Sequence, residues 1–67
     1  KQYDDPYELI DVLVSLKSID LTNWCRAFGI KESYDGYKNK QTKSHNIFEY
    51  YFKRPANVEE TSYWLSR

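Results

Sequence analysis

Cys25, His45 and the adjacent carboxylate pairs Asp4-Asp5 and Glu59-Glu60 are the side chains whose types could carry chemistry. Nucleophilic catalysis needs a thiol or hydroxyl beside a base, with a third group to orient the base. Cys25 shares helical spacing with Leu21, Trp24 and Phe28, which places it on an apolar face where a thiol is inert packing. His45 stands among Lys43, Ser44 and Asn46 and reads as a solvated histidine rather than a general base. Each acid pair stands at the start of a helical run, where the helix dipole favours negative charge. That position explains the pairs without invoking a metal. One cysteine and one histidine supply neither a disulfide nor a zinc ligand set, and two glycines leave no phosphate-cradling loop. The inventory points away from an enzyme and from any cofactor or metal.

Binding chemistry is better represented. Between Tyr34 and Asn46 the sequence interleaves Tyr37, Lys38, Lys40, Lys43 and His45 with amides and hydroxyls. Cations that meet phosphates, beside rings and amides that meet bases, are the vocabulary of nucleic-acid contact. Lys53 and Arg54 extend the patch. The plainer reading is a solvated basic connection, which is common on any protein surface. Local charge leaves the two readings evenly matched. The ten basic and ten acidic residues cancel, yet residues 31–54 carry +3 while residues 1–20 carry −3. Local fields, more than totals, steer a charged partner.

The elements that must position these residues are mostly helical. Asp5-Pro6-Tyr7-Glu8 is a helix start, with Asp5 as cap and Glu8 completing a capping box. Leu9, Ile10, Val12, Leu13, Val14 and Leu16 follow as a broad apolar stripe, and Asp11 and Lys17 mark the wet side. Asp20 opens a second helix, with Thr22 as a competing cap, and Gly29-Ile30 closes it with a left-handed turn. Residues 31–43 lack apolar periodicity and read as a connection, with Asp35-Gly36 as a turn. Ser44 starts a third helix through Ile47, Phe48, Tyr51 and Phe52, which Pro55 ends near Lys53. A β-hairpin over 36–53 is the alternative, because IFEYYF has high strand propensity. Asn57-Val58-Glu59-Glu60 caps a last helix that turns Tyr63, Trp64 and Leu65 inward. A regular helix-turn-helix is disfavoured, since Asp35-Gly36 falls where its second helix needs an apolar residue.

The expected architecture is therefore all-α: a compact single-domain bundle of three to four helices spanning 1–67, with one long basic connection. A chain of 67 residues buries only roughly 60% of its unfolded surface, so its stability leans on a dense aromatic core. Seven tyrosines exceed what so small a core hides, so some of Tyr7, Tyr34, Tyr37, Tyr50 and Tyr63 stand at the surface, available to a partner, while Trp24 and Trp64 fit core faces. No apolar run approaches the ~18 residues of a membrane span, and the polar KQYDDP start is not a signal peptide. With a lone cysteine, an intracellular setting in cytoplasm, nucleoid or nucleus is expected. The start at Lys1 suggests a piece of a longer chain.

Glu8-Leu-Ile-Asp-Val-Leu13, Ile19-Asp20 and Asn23-Trp24 with Gly29 beyond resemble the opening of the helical C-terminal modules of viral and plasmid primases. Phe48, Tyr51, Asn57-Val-Glu-Glu60 and Trp64 are similar to the aromatic and acidic tail of those modules. The chain departs from the family at Tyr51-Phe52, where Trp-Ser is usual. The resemblance implies a non-catalytic, template-engaging part of a replication protein. The leading expectation is accordingly a nucleic-acid-binding module, with DNA preferred over RNA. Lys38, Lys40, Lys43, Lys53 and Arg54 would meet phosphates, and Tyr37, His45 and Asn46 would stack or make polar contacts. The alternative is a protein–protein or homodimer module using Tyr63, Trp64 and Leu65, or the first helix's stripe.

Overall fold

The computed structural model describes residues 3–30 and 39–67. Four helices follow in chain order: α1 (Pro6–Ser15), α2 (Ser18–Ala27), α3 (Lys40–Phe52) and α4 (Val58–Leu65). Helix α3 packs on α1 and α2, and α4 packs on α1. Among the described residues there is no strand, so the hairpin alternative is excluded over 40–52. The all-α bundle is as expected.

The core is continuous across the four helices. Leu9, Ile10 and Leu13 of α1, Leu21 and Cys25 of α2, Ile47 and Phe48 of α3, and Trp64 of α4 are buried together. Val14, Leu16, Trp24, Phe28, Tyr51, Phe52 and Tyr63 pack half-buried around them. Rings supply much of this cover, which is how a short chain removes enough apolar area from water.

Helix boundaries follow from capping chemistry. At α1 the Asp5 carboxylate accepts from the Tyr7 amide at 2.9 Å, with Pro6 at the first helical position. Helix α2 starts at Ser18, before the expected Asp20. There Asp20 serves from inside the first turn, accepting from the Lys17 amide at 3.3 Å. The Thr22 hydroxyl donates back to the Ser18 carbonyl and caps nothing. The end of α2 is as expected. Gly29 takes φ +76°, its amide donates to Arg26, and the Ile30 amide donates to Cys25, which satisfies two terminal carbonyls.

Helix α3 begins at Lys40, four residues ahead of the expected Ser44. Asn39 is the cap, its side-chain oxygen accepting from the Thr42 amide at 2.9 Å, while Ser44 is buried. The basic connection is correspondingly shorter, because Lys40 and Lys43 are helical. The Asn57–Glu60 capping box of α4 is present, with reciprocal bonds of 2.8 and 3.0 Å. Leu65, expected inward, is 73% exposed. It stands about 100° around the helix from Trp64, and the buried row of α4 runs through Glu60 and Trp64 instead.

One cap is strained. Lys53 ends α3 at φ +60°, a left-handed conformation that disfavours any side chain with a Cβ. Lys53→Gly should stabilise the fold by about 0.5 kcal/mol, after allowing for glycine's larger unfolded-state entropy. A rise in the urea midpoint with unchanged slope would show it, and a fall would contradict it.

Candidate nucleic-acid interface

Tyr37 and Lys38 lie outside the described residues. The six other expected contact residues, Lys40, Lys43, His45, Asn46, Lys53 and Arg54, all sit on or at the end of α3, but they do not share a face. Helical geometry sorts them. Lys43, Asn46 and Lys53 fall on one row, at i, i+3 and i+10, along the border with α2. Tyr50, at i+7 from Lys43, completes that row and is 44% exposed. From Lys43 to Lys53 the row runs about 15 Å along the helix axis.

Its N-terminal end is organised around the α1–α2 junction. The Lys43 ammonium donates to the Ser18 hydroxyl at 2.7 Å, and the Lys40 ammonium donates to the Val14 carbonyl at 3.4 Å. The Val14 carbonyl belongs to the last turn of α1, where a cation meets the negative end of the helix dipole. Lys17, which is exposed, lies between these two anchor points in the sequence. Beyond Lys40 a shallow cleft of about 500 Å³ continues past Trp64 to Leu65 and Arg67. One carboxylate borders the row by helical position, the exposed Glu49 on α3.

At the C-terminal end the rings of α2 and α3 meet. Phe28 stacks on Tyr50, with centroids 3.9 Å apart and planes 11° from parallel. Trp24 and Phe28 each meet Tyr51, at 5.9 and 5.4 Å and close to edge-on. The Lys53 ammonium lies over the Tyr50 ring, 4.9 Å from its centroid.

His45 and Arg54 belong to the opposite flank and are engaged with α4. His45 stacks on Trp64 at 4.2 Å, and the Gln41 amide donates to its Nε2 at 2.8 Å. It is half-buried rather than solvated. Burial pushes its pKa below the usual histidine value, against the pull of Glu49, so the neutral ring predominates at neutral pH. Arg54 makes a two-pronged pair with Glu60 at 2.8 and 2.9 Å, and its guanidinium packs over Phe48 and Phe52. Both the Glu60 hydrogen bonds and its charge hold that guanidinium protonated.

The other chemical candidates are structural. The Cys25 thiol is buried, lies 3.7 Å from the Lys43 carbonyl, and is pushed above the usual thiol range by burial, against the pull of Lys43. Such a thiol carries little thiolate at neutral pH. No three of His, Cys, Asp or Glu converge in metal-binding geometry among the described residues. Nor is any described helix long and apolar enough to cross a membrane. Of the expected protein interface, Trp64 is buried in the core. Tyr63 is held by Asp11, to which its hydroxyl donates at 2.8 Å, and by Arg67 over its ring. Only Leu65 stands clear.

Sequence reasoning offers Tyr50 only as one of several surplus surface tyrosines, not as a member of the lysine row. The heptad spacing from Lys43 marks Tyr50 once Lys43 is known to be helical. Compared with known proteins, the chain matches no protein family, no curated protein and no solved structure.

Proposed function

We infer that this domain is a non-enzymatic nucleic-acid-binding module whose contact surface is the α2-facing row of α3. The observation that carries the reading is the alignment of Lys43, Asn46 and Lys53 on that row, with Lys40 and Lys43 anchored on the α1–α2 junction at its start. A row of about 15 Å suits a few successive backbone phosphates, with Asn46 as a polar contact between the cations. DNA is the preferred partner, and a replication protein the preferred parent, on the primase resemblance alone.

Titration by fluorescence anisotropy tests this. Lys43→Glu/Lys53→Glu should lower affinity on the order of ten-fold or more for every sequence and reduce the salt slope by about two. Unchanged affinity and slope would remove the assignment. His45→Gln should change binding little, because its ring is neutral and packed on Trp64.

A second reading, self-association, has one supporting observation. Val58 and Leu65 are 82% and 73% exposed and lie two turns apart on the outer face of α4. Sedimentation equilibrium separates the two: a dimer lost in Leu65→Glu supports association through α4, and a strict monomer removes it.

A further inference from the structure

Tyr50 is an aromatic ring held flat at the surface, and its surroundings bear on the kind of nucleic acid the row accepts. Phe28 covers one face at a separation that admits nothing between the rings. Phe28 is itself pinned edge-on by Tyr51 and tilted against Trp24, so Tyr50 rests on a packed base rather than on solvent. The opposite face is met by the Lys53 ammonium. An ammonium on an exposed ring is held weakly. It sits on a flexible stem and can swing away.

We propose, building on the nucleic-acid reading above, that the module takes single-stranded nucleic acid, with one unpaired base stacking on the outer face of Tyr50. The incoming base displaces the Lys53 ammonium, which then meets the phosphate beside that base. Lys43 lies about 10 Å along the row from Tyr50 and about 15 Å from Lys53, which places it to meet a phosphate further along the same strand. Duplex bases have their faces buried in the stack and cannot use the ring, whereas every unpaired base presents a π-face. The platform therefore selects strandedness and not sequence.

The experiment compares an oligothymidylate, an abasic single strand of equal length and a duplex, titrated against wild type, Tyr50→Phe, Tyr50→Leu and Tyr50→Ala. Tyr50→Phe keeps the stacking ring, and Tyr50→Leu keeps an apolar cover for Phe28 without a π-face. Thermal melts verify that each variant is folded. Expected is wild-type binding for Tyr50→Phe, and a loss on the order of ten-fold on oligothymidylate for Tyr50→Leu and Tyr50→Ala. The abasic strand and the duplex should be nearly unaffected. The Tyr50 ring protons should also move upfield in NMR spectra on adding oligothymidylate. If folded Tyr50→Leu binds oligothymidylate as wild type does, while Lys43→Glu/Lys53→Glu still weakens it, the stacking proposal is overturned and the interface stands. If wild type binds none of the three probes, both fall.

Discussion

Phe48→Ala yields a chain that is largely unfolded at room temperature. Phe48 is fully buried at the joint between α3 and α4, with Phe52 at 4.9 Å and Trp64 at 5.7 Å between ring centroids. Truncating a buried phenylalanine to alanine costs about 3–5 kcal/mol, through lost transfer energy and the cavity left behind. A single core in a chain this short rarely supplies more than about 3–5 kcal/mol in total. Cost and reserve are therefore of the same size. Phe48→Leu, which keeps most of the volume, should lose about 1–1.5 kcal/mol and remain folded. Far-UV circular dichroism and dispersion of amide resonances distinguish the outcomes. A cooperative thermal transition in Phe48→Ala close to that of wild type would contradict the central place given to this ring.

The second large effect is expected at Glu60. Its carboxylate, 3% exposed, accepts both prongs of Arg54 and the Asn57 amide, so it joins the α3–α4 connection to the start of α4. Charge-assisted bonds of this kind are worth about 1.5–3 kcal/mol each before partners relax, and Arg54 is exposed enough for water to replace part of the loss. Glu60→Ala should cost about 2–3 kcal/mol. Glu60→Gln, which keeps an acceptor for Asn57, should cost roughly half as much.

The same residue gives the fold an acid limb. The Arg54 hydrogen bonds first, then the Asn57 amide, hold Glu60 below the usual carboxylate range, against the opposing effect of burial. Its contribution is therefore fully present above the ordinary glutamate value and is lost as pH falls through the lowered one. Asp11 acts in the same direction, lowered first by the Tyr63 hydroxyl and then by Arg67, with burial opposing. Urea midpoints measured from neutral to strongly acid pH should fall less steeply for Glu60→Gln than for wild type. Parallel profiles would show that Glu60 is not a source of the limb.

How much of this was legible in advance depended on whether the controlling interaction was local. Asp5, Gly29 and Asn57 act within a few residues of themselves, and all three marked their helix ends correctly. Asn39 acts just as locally, but the first apolar residue of its helix is Ile47. A reading by hydrophobic periodicity had nothing to count between them and began the helix at Ser44. Leu65 was turned inward because it follows Trp64, although buried Glu60 fixes a different row. The pairing of Arg54 with Glu60 crosses Pro55, and no spacing rule connects a helix tail with the next helix's first turn. His45 was misjudged for the same reason, since its partner Trp64 arrives from another element. At the candidate interface the residue types were visible and their division between two flanks was not. The flanks depend on where α3 begins.

The anchoring of α4 on α1 has a consequence for the order of synthesis. Asp11 accepts from Tyr63 and from Arg67 at 2.8 Å each, 52 and 56 residues further along the chain. A ribosome adding ~5–20 residues per second needs on the order of several seconds to cover that separation. Over that interval Leu9, Ile10 and Leu13 have been made, while the helices that cover them are still incomplete. A long-range clasp of this kind also slows closure in refolding, because the loop must be gathered before its contacts reward it. Of the four described helices, α1 is thus the one that waits longest for its partners, and α4, made after the other three, is the one that completes its cover.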